Sequence, residues 1–309
     1  MNVCAMRSSG ASLGLALGGG TARGVAHIGA LKVLEERGEI PQVLAGTSYG
    51  AIIAALYALG MPALEIERLV RSQNLLELWA TGIDFGLHRA ALIHGRRLER
   101  WLDRKIFFGA AIEECERPLA IACTDLATGE LAVLREGSIA SAVVASSALP
   151  MIFAPRKLDG RTLIDGGFVQ AVPFEALRSL KPDRMIGIHA GLVPGESRLL
   201  RLLRTVAGSR AGRAWARSSW KLHPRVPLRD LAAGLGCALQ SYLKPQLVPE
   251  GALLVQTTPP ISWWDFHRSP EGIAAGEAAM RVALDRLESG QSGETAPQTV
   301  LVRVEPEDA

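Results

Sequence analysis

Five residues, GTSYG at 46–50, constrain this chain more than any others. They stand between an apolar, strand-like run at 41–45 and a helix-like run, AIIAALYALG, at 51–60. A serine at a strand-to-helix turn is held in a strained backbone, with its hydroxyl pushed clear of both elements. Gly46 and Gly50 suit such a turn, because neighbouring backbones come too close there for Cβ atoms. The helix that follows directs partial positive charge at the serine, which favours an alkoxide or an oxyanion. The pattern thus reads as a nucleophile elbow with Ser48 at its tip. A GxSxG string also arises by chance in a chain with 32 glycines, so its surroundings have to decide.

A second glycine-rich turn lies upstream. LGLAL at 13–17 reads as a fully buried strand, GGGTARG occupies 18–24, and a helix is expected at 25–37, with Val25, Ile28, Leu31 and Leu34 on one face. Strand, glycine loop and helix N-terminus together make an anion site. The spacing does not suit a dinucleotide. Counted from Gly18 the last glycine arrives one residue late, and counted from Gly19 the third position is Thr21. The next strand also ends in Gly46, where a ribose-binding acid would stand. An oxyanion fits better. If the first two strands pair in parallel, both loops emerge at one sheet edge, and the amides of Gly19, Gly20 and Thr21 face Ser48.

The rest of the chain alternates helix and strand. Helices are expected at 62–73, 96–107 and 138–147, strands at 119–123 and near 134, and a short strand at 162–164 ending in DGG, 165–167. Pro150 and Pro155 bound a connection. A short helix after Pro173, strands at 185–188 and 252–256, and helices at 228–242 and 270–287 follow. The segment 75–94 is apolar and weakly patterned, a lid or acyl-binding surface on one reading and an ordinary packed loop on the other. The basic stretch 198–221 is a solvated helix face or a contact for anionic lipid headgroups. Residues 1–12 and 289–309 read as a loose N-terminus and a loose tail around one domain at 13–288. The expectation is a three-layer α/β/α fold around a mainly parallel sheet.

Bulk properties agree. Of 309 residues, 48% are hydrophobic and 21% charged, enough to bury a sizeable core. A formal charge of +3 argues against a nucleic-acid partner. Cys4, Cys115, Cys123 and Cys237 lack metal or disulfide spacing and read as free thiols in a reducing compartment. The apolar run at 13–17 is too short for a secretory signal, and glycines interrupt the one at 43–61. A cytoplasmic protein, at most peripheral to a membrane, is expected.

A serine hydroxyl is a poor nucleophile until a base takes its proton. Two bases are open. In a Ser–Asp–His order, Asp165 would pair with His189, His223 or His267. The elbow follows only the second expected strand, however, which is early for an α/β-hydrolase. Alternatively, Asp165 acts alone, projected by the two glycines after it.

GGGTARG, GTSYG and DGG, in this order and at these separations, resemble the patatin-like phospholipase family. The likeness is closest to its bacterial members and to the catalytic domain of neuropathy target esterase. TDLATGE at 124–130 and ASSALPMIFAP at 145–155 are similar to that family too, and the likeness covers roughly 13–287. The resemblance implies an α/β/α fold and a Ser–Asp dyad without histidine, with Ser48 as nucleophile and Asp165 as base. It implies oxyanion amides from Gly19, Gly20 and Thr21, with Arg23 beside that loop and Gly46, Gly50, Gly166 and Gly167 in support. It further implies hydrolysis of acyl esters of phospholipids or lysophospholipids, without metal or cofactor. Two positions depart from the family pattern. Thr21 stands where many members have a third glycine, so it is either right-handed or strained. Gln170 and Ala171 precede the proline where an Asn is frequent, which puts the support of the Asp165 turn in question. Two other functions remain: a Ser–His–Asp esterase acting on soluble esters, and a non-catalytic lipid-binding regulator on the same scaffold.

Overall fold

The computed structural model describes residues 11–72, 85–88, 91–191, 247–261, 265–289 and 301–304. The chain runs β1 (Leu13–Leu17), a 3-10 turn (Thr21–Val25), α1 (Ala26–Glu36), β2 (Val43–Gly46), α2 (Tyr49–Ala58) and α3 (Ala63–Ser72). Next come β3 (Phe85–His88), β4 (Ala91–Ile93) and α4 (Arg96–Leu102), which continues into a π-helical turn (Asp103–Phe107). β5 (Leu119–Asp125) and β6 (Leu131–Leu134) pair antiparallel, and α5 (Ile139–Ser146) leads to β7 (Met151–Phe153), β8 (Arg156–Leu158) and β9 (Arg161–Asp165). α6 (Phe174–Arg178), β10 (Arg184–His189), β11 (Leu253–Thr257), α7 (Ser269–Glu288) and β12 (Leu301–Val304) follow.

Among the described residues the main sheet has the order β12-β11-β10-β1-β2-β5-β9-β8, with β6 paired to β5. From β12 to β5 every neighbour is parallel; β6, β8 and β9 are antiparallel additions. The three central strands carry large side chains on one face and small ones on the other. Leu13, Leu15 and Leu17 of β1, Leu44 of β2, and Leu119 and Ile121 of β5 enter the larger core with α1, α2, α5 and α7. Their alternates Ala16, Ala45, Ala120 and Ala122 meet Phe174 and Leu177 of α6. Period-two alternation inside fully buried strands therefore encodes a roomy layer and a thin one.

The pairings on β5 place the site. Ile121 pairs with both Gly46 of β2 and Leu134 of β6, so β2 and β6 lie on opposite edges of β5. Cys123 pairs with both Ala132 of β6 and Asp165 of β9, so β9 also lies opposite β6. β2 and β9 thus share one edge and approach each other end to end, because β2 runs parallel to β5 and β9 antiparallel. Gly46 and Asp165 sit two β5 residues apart in register, ~7 Å at the usual rise of a strand.

Several boundaries differ from the sequence reading. The first helix is preceded by a 3-10 turn that begins inside the glycine loop at Thr21, closed by Arg23 N–H on Gly20 O at 3.1 Å. The elbow helix starts at Tyr49, directly after Ser48. The connection between Pro150 and Pro155 holds β7, which pairs with β4 in a separate three-stranded sheet with β3; three residues are too few to show periodicity. Within the tail that reads as loose, Leu301–Val304 form β12, parallel to β11. The basic stretch 198–221, the helix expected at 228–242, and 75–84 and 89–90 of the apolar segment lie outside the described residues.

The thin layer yields a test. Ala45 is fully buried among small residues, so Ala45→Leu should overpack it and lower unfolding free energy by ~1–3 kcal/mol in urea titration.

Candidate active site

The Ser48 backbone has φ 53° and ψ −125°, a strained combination for a residue with a side chain, costing ~1–3 kcal/mol. The turn is held from several sides. A Cβ on Gly50 would collide with the carbonyls of Leu17 and Gly18, and one on Gly46 with Gly50 O at 2.7 Å. Thr47 N–H donates to Leu17 O at 3.0 Å, which ties the elbow to β1. The Ser48 N–H donates to Ser146 Oγ at 2.9 Å, and the Ser146 hydroxyl donates onward to Ala122 O at 2.6 Å.

Asp165 ends β9 and is almost fully buried. Its N–H donates to Ala148 O at 3.1 Å, its carbonyl accepts the Thr124 hydroxyl at 2.8 Å, and its Oδ1 accepts Gly167 N–H at 2.8 Å. The Ser48 hydroxyl acts on the same carboxylate and favours its ionised form. Burial pushes this carboxyl up from 3.8 to about 6, while Gly167 and Ser48 pull it back down. Asp165 is therefore ionised at neutral pH, yet more basic than an ordinary aspartate.

The glycine loop faces the elbow: a Cβ on Gly19 would lie 3.6 Å from Ser48 Cβ. Its three candidate amides are not equivalent. Gly19 N–H donates to Ala171 O at 3.1 Å, so in this conformation it is engaged. Gly20 and Thr21 N–H have no acceptor among the described residues. Thr21 is left-handed at φ 49°, the strained alternative of the two posed by the sequence, and its hydroxyl donates back to Gly20 O at 2.7 Å. Arg23 is bonded through Nε to Ile261 O at 2.8 Å and braces the loop rather than reaching Ser48.

The turn after Asp165 finds its support without an asparagine. Gln170 N–H returns to Gly166 O at 2.9 Å, Gln170 Oε1 accepts Glu175 N–H at 3.2 Å, and Ala171 O receives Gly19. The histidines stand elsewhere. His27 Nε2 meets Gly18 O at 2.7 Å, and burial takes its pKa down to about 4, so it is a neutral donor beneath the loop. His189 lies on β10 with Nδ1 3.4 Å from Gln256 Nε2 and is likewise lowered to about 4 by burial. His267 is exposed, and His223 lies outside the described residues. Among the described residues no histidine hydrogen-bonds Ser48 or Asp165. Sequence reasoning gave no role to Ser146, Ala148, Thr124 or His27. The ASSALP run held the first two, but two small residues in an apolar helix carry no local signal.

A Cβ on Gly20 would lie 2.7 Å from Ala190 O, so Gly20→Ala must shift the amide; turnover should fall by ~10²-fold with KM little changed. Thr21→Gly should keep activity, since glycine accepts the left-handed backbone. Asp165 has a folded pKa raised above its unfolded value, so its contribution to stability is present at low pH and is lost as pH rises through about 6. Asp165→Asn should therefore melt at or above wild type at pH 8 and lose that advantage by pH 4.

Comparison with known proteins identifies the family. A family model described as patatin-like phospholipase matches residues 15–178, which include the glycine loop, the elbow and the DGG turn. An uncharacterised NTE family protein of Mycobacterium tuberculosis is 33% identical over 185 residues, covering 59% of this chain and 49% of that protein. The mouse patatin-like phospholipase domain-containing protein 6 is 31% identical over 189 residues, covering 59% of this chain and 14% of that protein. This chain thus spans about half the length, or less, of the curated relatives it matches. Among solved structures, VipD from Legionella pneumophila superposes with a TM-score of 0.55 at 15% identity, over 91% of this chain and 67% of that one; this is a likeness of fold. With a family match over more than half its length, the chain belongs to the patatin-like phospholipase family.

Proposed function

We propose that this chain is a serine acyl hydrolase that cleaves acyl esters of phospholipids or lysophospholipids through a Ser48–Asp165 dyad. The observation that carries the reading is the register on β5, which brings the strained Ser48 elbow and the buried Asp165 carboxylate to one edge two residues apart. The Asp165 carboxyl, raised by burial to about 6, is close to neutral, where a general base is most effective.

In this mechanism Ser48 Oγ attacks the ester carbonyl carbon as Asp165 takes the proton. The Gly20 and Thr21 amides bind the oxyanion, each such donor being worth ~10²–10³ in rate. Collapse breaks the bond to the alcohol, which leaves with the proton from Asp165 and an acyl group on Ser48. Water then attacks the acyl carbon while Asp165 takes one of its protons. Collapse of this second adduct releases the fatty acid and returns the proton to Ser48. His27 and His189, both neutral and bonded elsewhere, have no part in it. Lipid is the substrate class that family membership favours. No helix of the described residues is long and apolar enough to cross a membrane. Contact with anionic headgroups through 198–221 stays a proposal of the sequence alone.

Labelling with a fluorophosphonate should modify Ser48, and Ser48→Ala should abolish it while lowering hydrolysis by ~10⁴-fold or more without unfolding the chain. Activity should fall below pH 6, where Asp165 takes up its proton. Asp165→Asn should lose nearly all activity, while His189→Gln and His267→Gln keep most of it. Loss on a histidine change in a folded protein would hand the site to a Ser–His–Asp triad.

A further inference from the structure

One short segment touches both halves of the site. Ser146 ends α5 and Ala148 lies just past it, and both are fully buried. Ser146 Oγ accepts the Ser48 N–H at 2.9 Å. Two residues on, Ala148 O accepts the Asp165 N–H at 3.1 Å. The same segment therefore holds the backbone of the nucleophile and the backbone of the base. It is itself fixed to the strand between them, because the Ser146 hydroxyl donates to Ala122 O of β5 at 2.6 Å. A hydroxyl has one proton to give, and Ser146 spends it on Ala122. Only a lone pair is then left for Ser48, so the bond can run in one direction only.

We infer that Ser146 is a positioning residue of the dyad, one that holds the strained Ser48 amide so that the hydroxyl stays on Asp165. The inference rests on the proposed hydrolase reading and assigns a role outside it. The physical need is specific. An elbow at φ 53° relaxes toward an ordinary backbone unless its neighbours over-determine it, and relaxation swings Oγ away from the carboxylate. The remaining anchors, Thr47 N–H on β1 and the Gly46 and Gly50 contacts, hold the turn at its flanks. Ser146 alone among the described residues binds the Ser48 N–H itself.

The effect should be visible in pH dependence as well as in rate. The groups facing the Asp165 carboxylate are the Ser48 hydroxyl from the elbow, Gly167 N–H from the following turn and Cys123 from β5. Burial pushes the Cys123 thiol up, so it stays neutral and does not titrate in the working range. Ser48 and Gly167 both lower the carboxyl pKa, and a Ser48 that drifts gives up its share of that effect. The acid limb of kcat/KM should then move to higher pH.

The test uses Ser146→Ala and Ser146→Cys on the full chain, with reductant present because Cys123 adjoins the position. Cysteine keeps the volume but is a weak acceptor, so it separates a lost hydrogen bond from a cavity. Both variants should lower kcat by roughly 10–10²-fold with KM within a few-fold of wild type, since a misplacement of ~1 Å costs about that much. Both should shift the acid limb upward, and the cysteine variant should melt near wild type. If the alanine variant fails to fold, the cysteine variant decides. A cysteine variant with wild-type kcat and limb, or a loss of rate with the limb unmoved, overturns the inference while Ser48 labelling of the wild type still stands. A wild type that is not labelled at Ser48 overturns the hydrolase reading and takes this one with it.

Discussion

Two strands of opposite sense share one edge of β5 and point their C-terminal ends at each other. Everything at the site depends on that meeting. β2 delivers Gly46 opposite Ile121 and β9 delivers Asp165 opposite Cys123, so hydrogen-bond register along β5 sets how far apart the elbow and the acid stand. Register in a sheet buried on both faces is hard to shift, because a slip of one residue would exchange the leucine face for the alanine face. The separation of Ser48 and Asp165 is thus set by the packing of the core rather than by the loops that carry them.

Each of the two loops that face each other carries one strained residue. Ser48 and Thr21 both have positive φ, outside the ordinary backbone regions, at 53° and 49°. Each is held by bonds from outside its own turn or by its own side chain. Ser146 takes the Ser48 amide, and Thr21 caps the preceding carbonyl with its hydroxyl. Beneath the glycine loop, His27 fixes the Gly18 carbonyl and Ala171 takes the Gly19 amide. The amides of Gly20 and Thr21 have no acceptor among the described residues. In the proposed mechanism such amides are donors in place before any charge develops, which is what makes them effective.

Electrostatics follow from burial. The same water-poor surroundings that raise Asp165 to about 6 take His27 and His189 down to about 4. In each case the charged form is the one that burial disfavours. The consequence differs: the acid gains basicity and is still ionised at neutral pH, whereas the imidazoles are neutral and serve as fixed hydrogen-bonding groups. In the proposed dyad a carboxylate is the better base in this setting, because burial leaves it ionised and more basic while it leaves the imidazoles neutral and poorly basic.

Much of this was legible in the residues themselves. The strand at Leu13–Leu17, the elbow serine, the acid at the end of a short strand and the small-residue helix at 138–147 all carry local signatures, since glycine spacing and apolar runs report backbone demands directly. Other features needed the fold. That Gly19 is occupied by Ala171 while Gly20 is not depends on two loops 152 residues apart in the chain. The parts played by Ser146 and Ala148 depend on where α5 ends relative to β2 and β9, and a serine in an apolar helix looks the same whether or not it meets an amide. β7 and β12 are too short to show a period and exist because another strand offers an edge. Sequence determined which groups the site contains, because strained turns and buried strands admit few residue types. Tertiary structure decided which amides are engaged, where the described histidines stand and what binds the Ser48 N–H, because those are relations between surfaces brought together only by folding.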